Sequence, residues 1–123
     1  DTLKRIREML RDYQIEAVQW IAFLNKHGLH GALCDDLGLG KSLMALYSLA
    51  VSRVLNSKFS DGISIIVCPA TLTVHWYEEI QKWFNGVLLV PIEYSEVKGS
   101  YNTFKERCDF IQASGGHAVL ILS

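Results

Sequence analysis

The sequence has little cysteine, and what it has is scattered. Cys34, Cys68 and Cys108 are odd in number and form no Cys-x-x-Cys pair. A disulfide framework is therefore not expected, and the three read as reduced core thiols of an intracellular protein. No apolar run approaches the ~20 residues of a membrane span. Asp1 to Leu10 is charged where a secretory leader would be apolar. An excess of one charge is missing too. Twelve basic residues against 13 acidic leave a net charge of −1, so nothing global announces nucleic acid, although a local basic patch could still supply contacts. There is no internal repeat, no low-complexity tract and no Ser-His-Asp or Cys-His nucleophile set. Of the four histidines (His27, His30, His75, His117), His27 and His30 have no Cys or third His at ligand spacing, which argues against zinc.

What is present is a globular composition. Half of the 123 residues are hydrophobic and 20% are charged, enough for one domain, or part of one, with a real core. Helical and extended patterns alternate along it. Tyr13, Ala17, Trp20, Ile21 and Leu24, widened by Ile15, Val18 and Ala22, predict a helix over 11–26 with Asp12 as N-cap and Gly28 at its end. Gly31 to Cys34 reads as a short buried strand. Lys41 to Leu55 is apolar nearly all round, a helix to be sandwiched rather than laid on the surface. Ile63 to Cys68 is β-branched and nearly continuous, as in a covered parallel sheet, and Pro69 stops it. A helix follows from about Thr71 to Phe84, with Leu72, Trp76, Ile80, Trp83 and Phe84 inward and Glu78, Glu79 and Lys82 opposite. Gly86 breaks it. Val87 to Val90 with Ile92 predicts a strand. A further helix buries Tyr101, Phe104, Cys108 and Ile111, and Ala118 to Leu122 forms a last strand. Such alternation means βαβ units: an α/β fold with a parallel sheet and helices on both faces. The chain stops on a strand at Ser123, so this sheet of four strands reads as truncated, with an apolar edge and part of a face left open to self-association.

The stretch Asp35-Asp36-Leu37-Gly38-Leu39-Gly40-Lys41-Ser42 lies between the strand and the helix. A strand, a glycine loop, Gly-Lys-Ser and then a helix is the setting of a phosphate-binding loop. Gly38 and Gly40 let backbone N–H groups approach phosphate oxygens, and the helix N-terminus adds partial positive charge. Lys41 would reach the β- and γ-phosphates, and the Ser42 hydroxyl would ligate Mg²⁺. The strict pattern has a glycine where this chain has Asp35. A plain glycine-rich turn, with Lys41 and Ser42 as ordinary first-turn residues, is the bland reading.

Leu10-Arg11-Asp12-Tyr13-Gln14, Trp20, Asp35 to Ser42, and Ile66-Val67-Cys68-Pro69-Ala70-Thr71-Leu72 with Trp76 and Glu79 together resemble the first RecA-like lobe of the Swi/Snf-type ATPases. These are double-stranded-DNA translocases of helicase superfamily two, and they tolerate Asp at the position of Asp35. The resemblance covers essentially the whole chain. It implies that 1–123 is the N-terminal part of that lobe, with 11–26 as the adenine-side helix, 35–42 as the phosphate loop and 65–76 as the DNA-backbone segment. Gln14 then matches the residue that reads the adenine edge; without the resemblance it is a polar residue on an exposed helix side. Pro69 and Thr71 match the segment touching the DNA backbone, and an N-cap role for them is compatible. Trp76 and Trp83, on the apolar stripe, read as core rather than base-stacking. The family usually has Pro where Asp12 stands.

Within the family, Ala22 to Lys26, Leu29 to Gly31 leading into Leu33 to Asp36, and Cys68 to Thr73 with His75 and Trp76 resemble the branch that removes TATA-binding protein from DNA. The resemblance thus implies a nuclear protein, with double-stranded DNA, TATA-binding protein and a second RecA-like lobe as partners. The family's Asp-Glu-x-His segment and arginine finger are not in the sequence, so no catalytic residue is assigned and the 123 residues alone are expected to be inactive. A nucleosome-remodelling ATPase of the same family remains open. So, from other classes, do a non-catalytic nucleotide-binding or interaction module and a GTPase-type switch. The switch would need an Asn-Lys-x-Asp guanine reader, whereas Asn25-Lys26-His27-Gly28 lacks the Asp.

Overall fold

The computed structural model describes residues 1–34, 40–55 and 62–123. Its centre is a three-stranded, wholly parallel sheet in the order β1-β3-β2, built from β1 (Ser64–Val67), β2 (Leu89–Glu93) and β3 (His117–Leu122). Alternate residues share a face, so register decides which side each meets. Ile66, Leu89, Val119 and Ile121 face one side. There they join a core with Ile6, Val18, Met44, Leu46, Ile80 and Phe84, from α1 (Thr2–Met9), α2 (Asp12–Lys26), α3 (Lys41–Leu55) and α4 (Thr73–Phe84). The other side carries Ile92, Ala118 and Leu120. It is covered by α5 (Tyr94–Val97) and α6 (Tyr101–Ala113), through Val97, Phe104, Cys108 and Ile111. Helices therefore cover both faces, as the alternation predicts.

Several expectations are corrected. Gly31 to Cys34 is not a strand: none of the three strands runs alongside it, and Gly31, Ala32 and Cys34 are exposed. A strand without a neighbour leaves its backbone groups unpaired. Gly31 instead lies against Leu24 and Trp20, leaving no room for a side chain. That contact is where Trp20 packs, and Tyr13 and Trp20 stay exposed while α2 buries Gln14 and Val18. Its N-cap is Arg11, not Asp12. The helix after Pro69 begins later than expected, because Ala70–Leu72 forms a 3₁₀ turn and α4 starts at Thr73. Thr71 is thus not its N-cap, and Leu72 is 43% exposed. Asn85, in the left-handed region at φ 46°, ends α4 ahead of Gly86. β2 begins at Leu89, with Val87 exposed before it. It holds Pro91, tolerable because β2 is an edge strand. Tyr101 is 74% exposed at the first turn of α6 rather than buried. The connection after Leu55 lies mostly outside the described residues.

The amphipathic reading of α4 holds at its centre. Ile80 and Phe84 are fully buried, and Trp76 and Trp83 pack half-buried on the same core. The Trp83 indole donates to Glu79 Oε2 at 3.0 Å. α3 is packed by α1, α2 and α4, as its all-round apolarity demands.

Candidate nucleotide and DNA site

Local chemistry sets the two helix starts that matter. At the head of α2 the Gln14 side chain folds back, its Oε1 accepting from the Arg11 N–H at 2.9 Å. That closes an otherwise unsatisfied first-turn donor, so Gln14 is buried rather than on the solvent side. At the head of α3, Gly40 takes φ +76° and its carbonyl accepts the Met44 N–H at 3.1 Å. Lys41 and Ser42 follow as the half-buried first turn.

Tertiary packing brings these starts together. A Cβ placed on Gly40 would lie 2.5 Å from Gln14 Nε2. Glycine suits the positive φ, and any side chain there would have to displace the Gln14 amide. Farther along, the Asn25 amide donates to Ser52 Oγ at 2.9 Å and ties α2 to α3. The result is a helix N-terminus carrying a lysine and a serine hydroxyl beside a buried primary amide, a donor set suited to a phosphorylated heterocycle. Asp35, Asp36, Leu37, Gly38 and Leu39 of the expected loop lie outside the described residues.

The segment 65–76 runs from β1 over the carboxyl end of the sheet into α4. Pro69 and Thr71 are exposed there. The Leu72 N–H returns to the Pro69 carbonyl at 2.9 Å, and the Thr73 hydroxyl donates to the Ala70 carbonyl at 3.1 Å. The turn is therefore held by its own bonds, with Thr71 facing solvent.

One pair escaped the sequence. Ser64 Oγ and His117 Nε2 meet at 2.8 Å across β1 and β3. His117 is 5% exposed and its Nδ1 has no partner among the described residues. Among the described residues no carboxylate orients the ring, so this is a cross-strand tie rather than a nucleophile pair. It sits at the amino ends of the strands, opposite the 65–76 turn. Burial, followed by the Arg53 charge, lowers the His117 pKa from 6.5. Burial, with Asp109 adding and Arg107 opposing, raises that of Cys108, leaving an inert thiol. Among the described residues no group of three His, Cys, Asp or Glu could hold a metal, and no helix is long and apolar enough to cross a membrane.

Residues 13–117 match the family described as the SNF2-related domain. The chain belongs to that family. It is 42% identical over 99 residues to human TATA-binding protein-associated factor 172, a match covering 73% of this chain and 5% of that protein. It is 36% identical to Arabidopsis thaliana TATA-binding protein-associated factor BTAF1, covering 96% of this chain and 6% of that protein. It is also 38% identical over 74 residues to the human SWI/SNF-related matrix-associated actin-dependent regulator of chromatin subfamily A containing DEAD/H box 1, covering 60% of this chain and 7% of that protein. The chain thus spans a small part of the length of the curated relatives it matches. Among solved structures it resembles the Sulfolobus solfataricus SWI2/SNF2 ATPase core in complex with dsDNA. That likeness has a TM-score of 0.65 and 26% identity, over 92% of this chain and 21% of the other. The three-stranded parallel sheet with its flanking helices is the SNF2 core's RecA-like architecture.

Proposed function

We propose that this chain forms part of the ATP-binding lobe of a nuclear, ATP-dependent double-stranded-DNA translocase that displaces TATA-binding protein from DNA. The observation that carries this is the buried Gln14 amide against Gly40, at the start of the helix bearing Lys41 and Ser42. A Cβ there would press on the Gln14 amide, so the glycine lets that amide approach the start of α3. In this reading the Gln14 amide bonds the adenine edge, its Oε1 bond to Arg11 being compatible with a second from the adenine amino group. Asp35 to Gly40 wrap the phosphates, Lys41 neutralises them and Ser42 ligates Mg²⁺. ATP with Mg²⁺ supplies the phosphoryl transfer that drives translocation. Pro69 and Thr71 bear on the DNA backbone, where hydroxyls and backbone groups position without reading bases. The target rests on the names of the relatives, two of which are TATA-binding protein-associated factors. The chromatin-regulator relative favours a nucleosome as the second reading.

The test uses the full-length protein. DNA-stimulated phosphate release and ATP-dependent release of labelled TATA-binding protein from a promoter duplex are measured together. Lys41→Ala is expected to abolish both while leaving cooperative unfolding unchanged. Full activity in that variant would overturn the nucleotide reading. Hydrolysis without release of TATA-binding protein, but with sliding of nucleosomes, would move the target to chromatin.

A further inference from the structure

We infer that a buried water molecule bridges Arg53 Nε and His117 Nδ1, completing a polar link that runs from the last turn of α3 through β3 to β1. The two atoms share one defect. Each is shut from solvent and, among the described residues, has no hydrogen-bond partner. Buried polar groups are nearly always paired, with protein or with ordered water, so two neighbouring orphans call for one shared partner.

Their nearness follows from the sheet. Alternate residues of β3 share a face, so His117 lies on the side of Val119 and Ile121. Those two belong to the core that α3 covers. Arg53 sits in the last turn of α3, and its charge acts on the His117 ring. Yet no direct bond joins the two side chains. Polar groups that are near each other but beyond direct reach are the usual setting of a bridging water. The ring itself is fixed. The His117 N–H donates to the Leu88 carbonyl at 2.6 Å, and Nε2 lies 2.8 Å from Ser64 Oγ. Turning Nδ1 toward another group would give up the Ser64 contact.

The protons then sort themselves. Arg53 Nε is a donor only, so whatever it meets must accept. A neutral imidazole carries one donor and one acceptor, and a cation beside the ring favours the lone pair on the nitrogen that faces it. Nδ1 is therefore the acceptor, and Nε2–H donates to Ser64 Oγ. A water takes the Arg53 proton and gives one of its own to Nδ1, which satisfies both atoms. An anion in its place would need a second proton on the ring. Burial and then the Arg53 charge both oppose that protonation.

Hydrogen exchange read by mass spectrometry on the full-length protein measures local opening at the end of α3 and along β3. Arg53→Met removes the donor, keeps a long apolar stem, and is expected to speed exchange at both places by about three- to tenfold, the loss of one hydrogen-bonded link. Two replacements of His117 separate its nitrogens. His117→Gln keeps a group for Ser64 and loses the one at Nδ1, whereas His117→Asn does the reverse. Arg53→Met should thus add nothing to His117→Gln, yet still speed exchange in His117→Asn. Exchange in α6, on the other face of the sheet, should not change. Where Arg53→Met loosens α6 as well, Arg53→Lys, which puts a methylene at the Nε position and keeps the charge, takes its place. Exchange that is unchanged or slower without the Nε donor would show two unbridged groups and overturn the inference. Equal increments in the Gln and Asn backgrounds would overturn it too, since Arg53 would then act without His117. Exchange in the unsubstituted protein that slows on adding inorganic phosphate would put an anion where the water is inferred, and would overturn it as well.

Discussion

Gly40 is the residue on which the candidate site turns, and it is constrained from two directions. Its φ of +76° costs an alanine about 1 kcal/mol, and the alanine Cβ would press on Gln14 Nε2. Gly40→Ala should therefore lower both the thermal midpoint and ATP affinity. Adding Gln14→Ala should recover the packing part of the midpoint loss and leave the backbone part, and a double-mutant cycle in thermal unfolding separates them. Gln14→Ala alone is expected to weaken ATP more than GTP; an unchanged preference in a competition assay would remove the adenine role. His117 carries a pH prediction of definite sign. Its folded pKa is depressed by burial and then by Arg53. As pH falls below 6.5, the unfolded chain gains a proton that the folded chain resists. Stability should thus be level above that pH and fall beneath it, down to the folded pKa. Urea midpoints measured from about pH 5 to 7.5 check this, and replacing His117 by Gln should flatten that part of the profile.

At the scale of elements, α4 is the helix that joins the Ala70–Leu72 turn to the core. Phe84 and Ile80 hold it to the sheet, and Arg5 Nη2 donates to the Trp83 carbonyl at 2.8 Å, where α1 satisfies the last turn of α4. Phe84→Ala should cost about 3–5 kcal/mol, since the fully buried ring leaves a cavity. Tyr101→Ala, equally aromatic on paper, should cost about 0.5 kcal/mol or less, because most of the ring is in water. Chemical denaturation of the two variants tests burial rather than composition. α1 carries a pattern that its charged composition masks. Its apolar stripe is short and lies among charges: Ile6 is buried, Leu3 packs beside it and Leu10 is buried just past its end, and its N-cap is the Asp1 carboxylate accepting from the Leu3 N–H at 3.1 Å.

Across the whole molecule the two faces of the sheet are unequally covered. α5 and α6 lie over β2 and β3, while on the same side of β1 Ile65 is 57% and Val67 72% exposed. β1 also has an unpaired edge, since it bonds only β3 among the described residues. An open strand edge beside apolar side chains pairs readily with another chain. A polypeptide of these 123 residues is expected to self-associate, and Val67→Lys to reduce that association. Sedimentation showing a monodisperse monomer of the unsubstituted chain would contradict this.

The βα alternation, the helix over 41–55 and the glycine at 40 were determined by the sequence alone, because each is a local pattern: a period, a breaker, a residue without a Cβ. Membership of the SNF2-related family was legible for the same reason, being carried by short ordered motifs. What only the tertiary structure decided is non-local. Gly31 to Cys34 has the composition of a strand, but a strand exists only where a neighbour supplies its hydrogen bonds, and among the described residues none does. Tyr101 and Trp20 have the spacing of core residues, yet the helices present other faces to the core. Ser64 meets His117, and Gln14 meets Gly40, across separations in the chain that no period spans. Hydrophobic spacing tells which residues can be buried; the register of the sheet and the rotation of each helix choose among them.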